Sequence, residues 1–403
     1  MDRPGGGART AGRADLAVIV RSRTAFTARS TIVEAARQAA RDLDICVALE
    51  VAEAGIDIGK IASGMDSEFV IFVDDSVPDV NERIKELWAQ RDTADLLISS
   101  RYSNDRGTRP KELRREAERY VDRFLARILT LDTNDVRSSF QLVRRDTLRD
   151  LVAQGANLDD PVDVCVRTAI HGWTTREVQK PFWPLHTEQP LAPRRPTAAA
   201  LFHHWARRNG IDSADYDMRA FNSRLPPQRS WQRQRHEKTY ELVAPFVNQR
   251  ILNVGAGSGR LSLDLPGSIS VDIVHAKLRY MRRYNVNPAV TASVFHLPFP
   301  DDIFDCVLCC EVVEHVPRDP SPIAELVRVL RPGGRLVLST PDYGTPMWPI
   351  VEKLYAAAQP KGYADEHITH YTEESLIEEM RGYGLRCVGL NRVYRAIVVG
   401  AFE

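Results

Sequence analysis

The stretch ILNVGAGSGR, residues 251–260, decides how the C-terminal half of this chain folds. It begins with an apolar run typical of a short buried strand and continues into closely spaced glycines that precede a helical pattern. Glycine adopts positive φ without strain and has no Cβ, so the backbone of such a turn can contact a ligand. Structural turns use glycine as well. The stretch therefore predicts a strand–turn–helix unit, and its neighbours must decide whether a ligand binds there.

An acidic residue follows this turn at the spacing found in nucleotide-binding folds. SISVDIVH, residues 268–275, places Asp272 at the end of a second strand. A carboxylate in that position can accept hydrogen bonds from both hydroxyls of a ribose. Further along, HLPFPDDIFDCVLCCEVVEHV (296–316) and IAELVRVLRPGGRLVLSTP (323–341) predict a fourth strand, a helix, a glycine turn and a fifth strand.

In this order, the features resemble the class I S-adenosylmethionine-dependent methyltransferases. The shared motifs are Leu297-Pro298-Phe299, Phe304-Asp305, Glu311 to His315, Arg328-Val329-Leu330 and Pro332-Gly333-Gly334. The resemblance covers about residues 228–403 and implies a Rossmann-like domain with S-adenosylmethionine as methyl donor. It also implies the cofactor-binding residues, which are Asn253, Gly255, Ala256, Gly257, Asp272, Ser293, Val294, Cys310 and Glu311. Asn253 and Ser293 stand where this family usually has aspartates.

Methyl transfer from a sulfonium is an in-line displacement, so the protein mainly aligns the reactants and removes a proton from a hydroxyl acceptor. His367 and His315 are the candidate catalytic bases, with helix capping as the alternative role of His315. In this family the segment corresponding to 339–376 supplies much of the acceptor pocket. Substrate contacts are therefore predicted for Tyr343 and His370. Trp348, Tyr363 and Tyr371 are either further stacking surfaces or core residues.

A segment dense in arginine, glutamine and aromatic residues, 216–246, precedes the first of these strands. Its last part, about 228–247, is expected to be a helix that can fold over a neighbouring pocket. The helix could form a lid that binds an anionic or sugar-bearing substrate. The candidate lid residues are Tyr216, Arg219, Ser223, Arg224, Gln228, Trp231 and Arg235. The alternative is a solvated helix with Trp231 packed in the core.

The N-terminal half alternates strand and helix patterns. Strands are predicted at ADLAVIV (14–20), DICVALEV (44–51), SEFVIFVDD (67–75) and ADLLISSRY (94–102). Helices are predicted at 31–42, with Ser30 or Thr31 as cap, and at 81–92 and 112–131. This alternation predicts a mainly parallel sheet covered on both faces.

Asp74 and Asp75 stand at the carboxyl end of one predicted strand, where functional residues of such sheets gather. They can hold Mg²⁺ or Mn²⁺ against a diphosphate, or cap the following turn. Together with ADLLISSRY and DVRSSFQLVRRDTL (135–148), this region resembles the family-2 glycosyltransferases that use nucleotide sugars. The resemblance covers about residues 15–188 and implies a truncated glycosyltransferase-A-like domain. Because Ser76 replaces the second Asp of the D-x-D motif, an active enzyme and a non-catalytic docking module both remain open.

Composition limits the class of protein. Lys+Arg and Asp+Glu both number 54, so no global field attracts nucleic acid, and no nucleic-acid partner is predicted. No apolar run suits a membrane span or signal peptide, which predicts a cytoplasmic location and leaves peripheral membrane contact open. The six cysteines suit a reducing compartment, and a metal site at 306–310 is disfavoured because the run is apolar and strand-like. The oligomeric state is left open.

The fold class predicted is α/β with two domains. The predicted boundaries are a disordered tail at 1–14, the glycosyltransferase-like domain at 15–188, a linker at 189–215, and the methyltransferase domain with its lid at 216–403. The linker is predicted from the proline-rich stretch 181–200. The predicted function is O-methylation of a sugar or lipid-linked glycan, either alone or together with glycosyl transfer. The alternative keeps the methyltransferase, makes the N-terminal domain a docking module and leaves the acceptor an unrelated small molecule. A non-enzymatic protein with two vestigial domains is disfavoured, because the glycine turn, Asp272 and Glu311 are all present.

Overall fold

The computed structural model describes residues 14–21, 26–52, 58–74, 77–102, 113–179, 197–285, 287–358 and 367–403. The chain divides into two compact units. The first contains Met1–Ala169 and Trp173–Arg208, and the second contains Ile170–Gly172 and Asn209–Glu403. Both are α/β, as predicted. Within the described ranges, no helix is long and apolar enough to cross a membrane.

The first unit is built on a six-stranded sheet. Its strands are β1 (Ala14–Arg21), β2 (Val47–Ala52), β3 (Ser67–Asp74), β4 (Leu96–Ser100), β5 (Gln141–Arg144) and β6 (Thr175–Gln179). Its helices are α1 (Phe26–Leu43), α2 (Ile58–Gly64), α3 (Val80–Ala89), α4 (Leu113–Ile128), α5 (Arg145–Ala153), α6 (Pro161–Ile170) and α7 (Ala198–Arg208). The strand order is β2-β1-β3-β5-β4-β6, and only β5 among these strands runs antiparallel to its neighbours.

Alternation of side chains along the strands of this sheet builds a core on each face. On one face Leu16 and Val18 of β1 pack in a cluster with Ala36 of α1. On the other face Ala17 and Ile19 pack in a cluster that includes residues of α2 and α5. Both faces of the sheet are therefore covered, as the alternation of strand and helix patterns predicts.

Two boundaries in the first unit differ from the sequence predictions. Helix α1 begins at Phe26, so the predicted cap at Ser30 or Thr31 is wrong, because both residues lie inside the helix. The described part of the predicted linker, 197–215, contains helix α7, which clusters with the first unit. The rest of the linker, up to 196, and most of the predicted tail lie outside the described residues.

The second unit contains a seven-stranded sheet. Its strands are β7 (Ile251–Val254), β8 (Ile269–Asp272), β9 (Ala289–Thr291), β10 (Phe304–Cys310), β11 (Leu330–Pro341), β12 (Cys387–Val393) and β13 (Ile397–Phe402). Its helices are α8 (Tyr216–Phe221), α9 (Pro226–Val243), α10 (His275–Met281), α11 (Pro322–Val329), α12 (Met347–Ala358) and α13 (Glu373–Gly382), with short 3-10 turns at Ala244–Phe246, Leu261–Asp264 and Val313–His315.

The strand order β12-β13-β11-β10-β7-β8-β9 is what positions the site. Strands β7 to β11 run parallel to one another, whereas β13 is antiparallel to both β11 and β12. The chain order reverses direction at β7 and β10, which lie side by side. Ligands bind at such a switch point, outside the carboxyl ends of the strands. The loops after β7, β8 and β10 all meet there.

Candidate active site

The glycine turn after β7 needs glycine for two separate reasons. Gly255 and Gly257 have φ of 70° and 58°, the left-handed region that other residues adopt only with strain. A Cβ on Gly255 would also overlap the Val312 side chain, and one on Gly257 would overlap the carboxylate of Asp217. The turn is therefore packed from both sides, and its backbone lies close to the groups around it.

Asp272, at the end of β8, is held by the backbone of this turn. Its Oδ2 accepts a hydrogen bond from the Gly257 amide at 2.8 Å, and its Oδ1 accepts one from the Val274 amide at 2.8 Å. A carboxylate can accept about four hydrogen bonds, so both oxygens keep capacity for the hydroxyls of a ribose. These two backbone hydrogen bonds therefore fix the orientation of Asp272, the residue predicted to bind the ribose.

A cavity of about 660 Å³ opens at the carboxyl ends of β7, β8 and β10. All the predicted cofactor residues line it, namely Asn253, Gly255, Ala256, Gly257, Asp272, Ser293, Val294, Cys310 and Glu311. Three further predicted residues, Tyr216, Arg235 and His315, line it as well. Residues far apart in the chain therefore meet around one space large enough for a nucleoside-containing ligand.

Asp217 is a cavity residue that the sequence analysis missed. Its Oδ2 accepts hydrogen bonds from the amide and hydroxyl of Ser258 at 3.0 and 3.1 Å, while the Met218 amide donates to the same hydroxyl. These bonds tie helix α8 to the glycine turn. Burial alone would raise the pKa of Asp217, but Lys277, Arg235 and the bonds from Ser258 hold that pKa below its usual value. Asp217 thus brings a negative charge to the cavity wall.

Arg235 of helix α9 stands between two carboxylates at this wall. Its guanidinium nitrogens lie 3.8 Å from an oxygen of Asp217 and 4.0 Å from an oxygen of Glu311. Glu311 has φ of 55°, a strained value for a residue other than glycine, and its Oε1 accepts a hydrogen bond from Ser339 at 2.8 Å. Such strain gathers at functional sites. The β10 end of the cavity thus combines one cation with two anions.

The two predicted bases lie next to each other, with His315 at the cavity wall and His367 behind it. Their ring centroids are 4.8 Å apart. The Nδ1 of His367 is 3.0 Å from the Tyr343 hydroxyl, which donates to Glu352 at 2.9 Å. Burial, together with His315 and His370, lowers the pKa of His367 to about 4, so this imidazole is neutral near pH 7. The histidine that can meet an acceptor in the cavity is therefore His315.

Several predicted substrate residues lie away from the cavity lining among the described residues of this unit. Trp231 stacks on Tyr394 with ring centroids 5.6 Å apart. It packs against a hydrophobic core cluster of the second unit and does not line the cavity. The alternative prediction of a packed Trp231 therefore fits the structure. The same cavity lining also lacks Arg224, which is exposed ahead of α9, and Tyr343 and His370, which stack on each other.

The other aromatic candidates belong to the core or cannot be placed. Trp348 and Tyr371 are buried in hydrophobic clusters. Tyr363 lies outside the described residues. Periodicity and residue type alone could not separate these side chains from Tyr216, because both kinds of position favour aromatics.

Asp74, one of the two metal ligands predicted in the first unit, lies beside a cationic side chain. Asp74, at the end of β3, lies 3.7 Å from a guanidinium nitrogen of Arg21, and both side chains are buried. Asp75 and Ser76 lie outside the described residues. A buried arginine beside Asp74 repels a divalent cation, so this geometry does not favour the predicted Mg²⁺ or Mn²⁺ site.

The segment 135–148, which contributes to the resemblance to glycosyltransferases, starts inside a buried ion network. Arg101 pairs with Asp135 at 2.6 Å and with Asp122 at 2.8 Å. Arg137 pairs with Asp122 at 2.7 Å and with Glu118 at 2.7 Å. These side chains are almost fully buried, so their opposite charges neutralise one another inside the first unit.

The sequence of the second unit is similar to those of known methyltransferases. Residues 252–338 match the family model described as "Methyltransferase domain". A demethylmenaquinone methyltransferase of Clavibacter sepedonicus is 34% identical over 29% of this chain and 50% of its own length. One from Beutenbergia cavernae is 30% identical over 39% of this chain and 62% of its own length. The chain thus spans only half to three fifths of these curated relatives.

Among solved structures, the magnesium protoporphyrin IX methyltransferase of Synechocystis with bound S-adenosylhomocysteine is similar to this chain. It is 16% identical, with a TM-score of 0.37, over 46% of this chain and 91% of its own. Together, the matched family model, the motif order and the sheet identify the second unit as a class I S-adenosylmethionine-dependent methyltransferase domain.

Proposed function

We propose that this protein is an S-adenosylmethionine-dependent methyltransferase that uses the cavity of the second unit. The observation that carries the proposal is the convergence of all the predicted cofactor residues on one cavity, with Asp272 already oriented by the Gly257 amide. Asp272 would accept hydrogen bonds from the ribose hydroxyls, Ser293 and Val294 would hold the adenine, and Cys310 at the β10 end would line the methionine end.

The charges at the β10 end suit an amino acid, because the methionine part of the cofactor carries an ammonium and a carboxylate. We assign its carboxylate to Arg235 and its ammonium to Asp217 or Glu311, which flank that arginine. His315, at the same wall, then faces the acceptor. Removal of the acceptor proton is assigned to the buried group that His315 forms with Glu314 and His367.

For the acceptor, we propose a hydroxyl of a small molecule, with a sugar or lipid-linked glycan as the first candidate. The second candidate is an unrelated small molecule, because the curated relatives are named for demethylmenaquinone rather than for glycans. A panel of sugars, lipid-linked sugars and quinol-type phenols, offered with methyl-labelled cofactor, tests the two against each other. Label in the phenols alone would overturn the glycan candidate.

Exchanging one arginine tests the cofactor pose. We expect Arg235→Gln to weaken the binding of S-adenosylhomocysteine by about 10- to 100-fold, because a charge-assisted hydrogen bond is worth ~1.5–3 kcal/mol. Calorimetric titration measures the change. Arg224→Gln is the matched control, because Arg224 is exposed and off the cavity, and its affinity should not change. Equal affinities of the two variants for S-adenosylhomocysteine would show that Arg235 does not bind the cofactor. Absence of binding by the wild type would overturn the proposed function.

The glycosyltransferase-like interpretation of the first unit stays a prediction, and we propose the docking alternative for it. The support is the Arg21 side chain beside Asp74, which leaves little room for a divalent cation on that carboxylate. The first unit would then hold part of the acceptor without transferring sugar. A cytoplasmic location and a partner limited to the small-molecule or glycan acceptor likewise stay predictions.

Asp74→Asn separates these two roles of the first unit. We expect no change in the methyl-transfer rate and no calorimetric binding of nucleotide-diphosphate sugars with Mn²⁺, in either the wild type or the variant. Asp66→Asn, at an exposed position, is the matched control. Specific nucleotide-sugar binding by the wild type that Asp74→Asn abolishes would instead show an active donor site and restore the bifunctional prediction.

A further inference from the structure

Glu314, His315 and His367 form a compact cluster beside the cavity. One potential ligand atom from each side chain lies within 4.8 Å of the other two. The main chain keeps the cluster together, because the amides of Ile368 and Thr369 both donate to the Glu314 carbonyl, at 2.9 and 3.0 Å. Residues distant in sequence are thus joined by a fixed backbone contact.

The carboxylate of this cluster is in an unusual environment. Glu314 is only 1% exposed, and its Oε2 accepts no hydrogen bond from any described residue. A buried carboxylate is costly unless it is neutralised by a proton, a cation or a metal ion. The fold therefore keeps a poorly solvated acid next to two imidazoles.

The histidines have the surroundings that metal ligands need. The Tyr343 hydroxyl lies 3.0 Å from Nδ1 of His367, and Glu352 in turn accepts a hydrogen bond from Tyr343. Such outer contacts fix the ring orientation of metal-binding histidines. His315 reaches the cavity wall, which gives the cluster an open side.

We propose that Glu314, His315 and His367 bind a divalent transition metal ion whose open coordination positions face the cavity. Two imidazoles and one carboxylate suit Zn²⁺ or Fe²⁺ better than Mg²⁺, which prefers oxygen ligands. Ligand atoms about 2.0–2.2 Å from one ion lie ~3–3.5 Å apart, so binding would draw the three side chains together by about an ångström. The Cys306, Cys309 and Cys310 run is not part of this site.

The consequence for catalysis rests on the proposed function. An acceptor hydroxyl bound to the ion would lose its proton to solvent more readily, because the cation stabilises the alkoxide. The alkoxide would attack the methyl carbon, so that the O–CH₃ bond would form while the C–S bond would break with its electron pair remaining on sulfur. With the ion bound, His315 and His367 would act as ligands, and the ion would take over the activation of the acceptor hydroxyl that is assigned above to the metal-free cluster.

Zinc titration of the chelator-treated full chain tests the site. The chain would carry Cys46→Ser and Cys387→Ser, which remove the exposed thiols that also bind zinc. We expect calorimetry to show one zinc equivalent that Glu314→Gln, His315→Gln and His367→Gln each weaken at least 100-fold. His275→Gln, which removes an exposed histidine elsewhere, should leave that affinity unchanged. Co²⁺ absorption in the visible range reports the same site independently.

Other outcomes would overturn the metal site without touching the cofactor pose. Absence of zinc binding by the parent chain, or equal affinity in all four histidine and glutamate variants, would leave the cluster as an acid–base group. His315 is partly exposed, so His315→Gln is the variant least apt to disturb folding. Each variant is also titrated with S-adenosylhomocysteine, and retained affinity shows that it is folded. If the parent chain did not bind S-adenosylhomocysteine, that result would count against the proposed function rather than against the metal site.

Discussion

Gly257→Ala is expected to weaken the binding of S-adenosylhomocysteine by at least about 100-fold. The new Cβ would overlap the Asp217 carboxylate, and the left-handed backbone adds ~1–2 kcal/mol of strain. Relief of the overlap must move either Asp217 from Ser258 or the Gly257 amide from Asp272. Either movement distorts the wall of the cavity. Calorimetric titration of the purified variant measures the loss.

Gly267→Ala is the matched control for the backbone part of this effect. Gly267 has φ of 79°, but a Cβ there meets nothing within 4 Å. The change should therefore cost about 1 kcal/mol of stability and leave cofactor affinity within about twofold of the wild type. If Gly257→Ala behaved like Gly267→Ala, the packing of Asp217 on the glycine turn would not matter for binding.

Asp122→Ala is expected to destabilise the first unit by ~3–5 kcal/mol, because it removes a buried carboxylate and leaves two buried guanidinium groups without it. Asp122 is fully buried, pairs with both Arg101 and Arg137, and accepts a hydrogen bond from the Tyr102 hydroxyl at 2.6 Å. Hydrogen–deuterium exchange of peptides covering β4 should accelerate at least about 100-fold, since each 1.4 kcal/mol is tenfold.

Two controls accompany the Asp122→Ala measurement. Asp92→Ala removes an exposed carboxylate that lies 3.3 Å from Arg144, and it should cost less than about 1 kcal/mol. Peptides covering β7 report on the second unit, and their exchange should be unchanged in both variants. Similar β4 exchange in Asp122→Ala and Asp92→Ala would contradict a stabilising role for the buried network.

The residues predicted to bind the cofactor meet at one cavity, and the sequence could predict this grouping because each belongs to a local pattern. The glycine turn, Asp272 and Glu311 each follow a strand that is legible as an apolar run, and parallel strands bring their carboxyl ends to one edge. Local chemistry and a general rule of sheet topology were sufficient. The same holds for the α/β class, because alternating patterns leave few other architectures.

The predicted substrate residues were harder to place, because their positions depend on which turn of a helix reaches the cavity. Arg235 and Trp231 lie one helical turn apart on α9, yet Arg235 lines the cavity and Trp231 packs against Tyr394. The hydrophilic sequence of α9 has no clear apolar stripe to show which face is buried. Asp217 had no local signal at all, because its partner Ser258 lies 41 positions away.

By itself, the sequence determined the two α/β units, the order of the methyltransferase motifs and the strand-end residues that line the cavity, because these depend on periodicity and on short-range backbone chemistry. Only the tertiary structure decided that strand β5 is antiparallel, that Arg21 pairs with Asp74, and that Glu314 shares a buried cluster with His367. Such contacts join residues far apart in the chain. Their geometry is set by the packing of whole elements, and no local pattern records it.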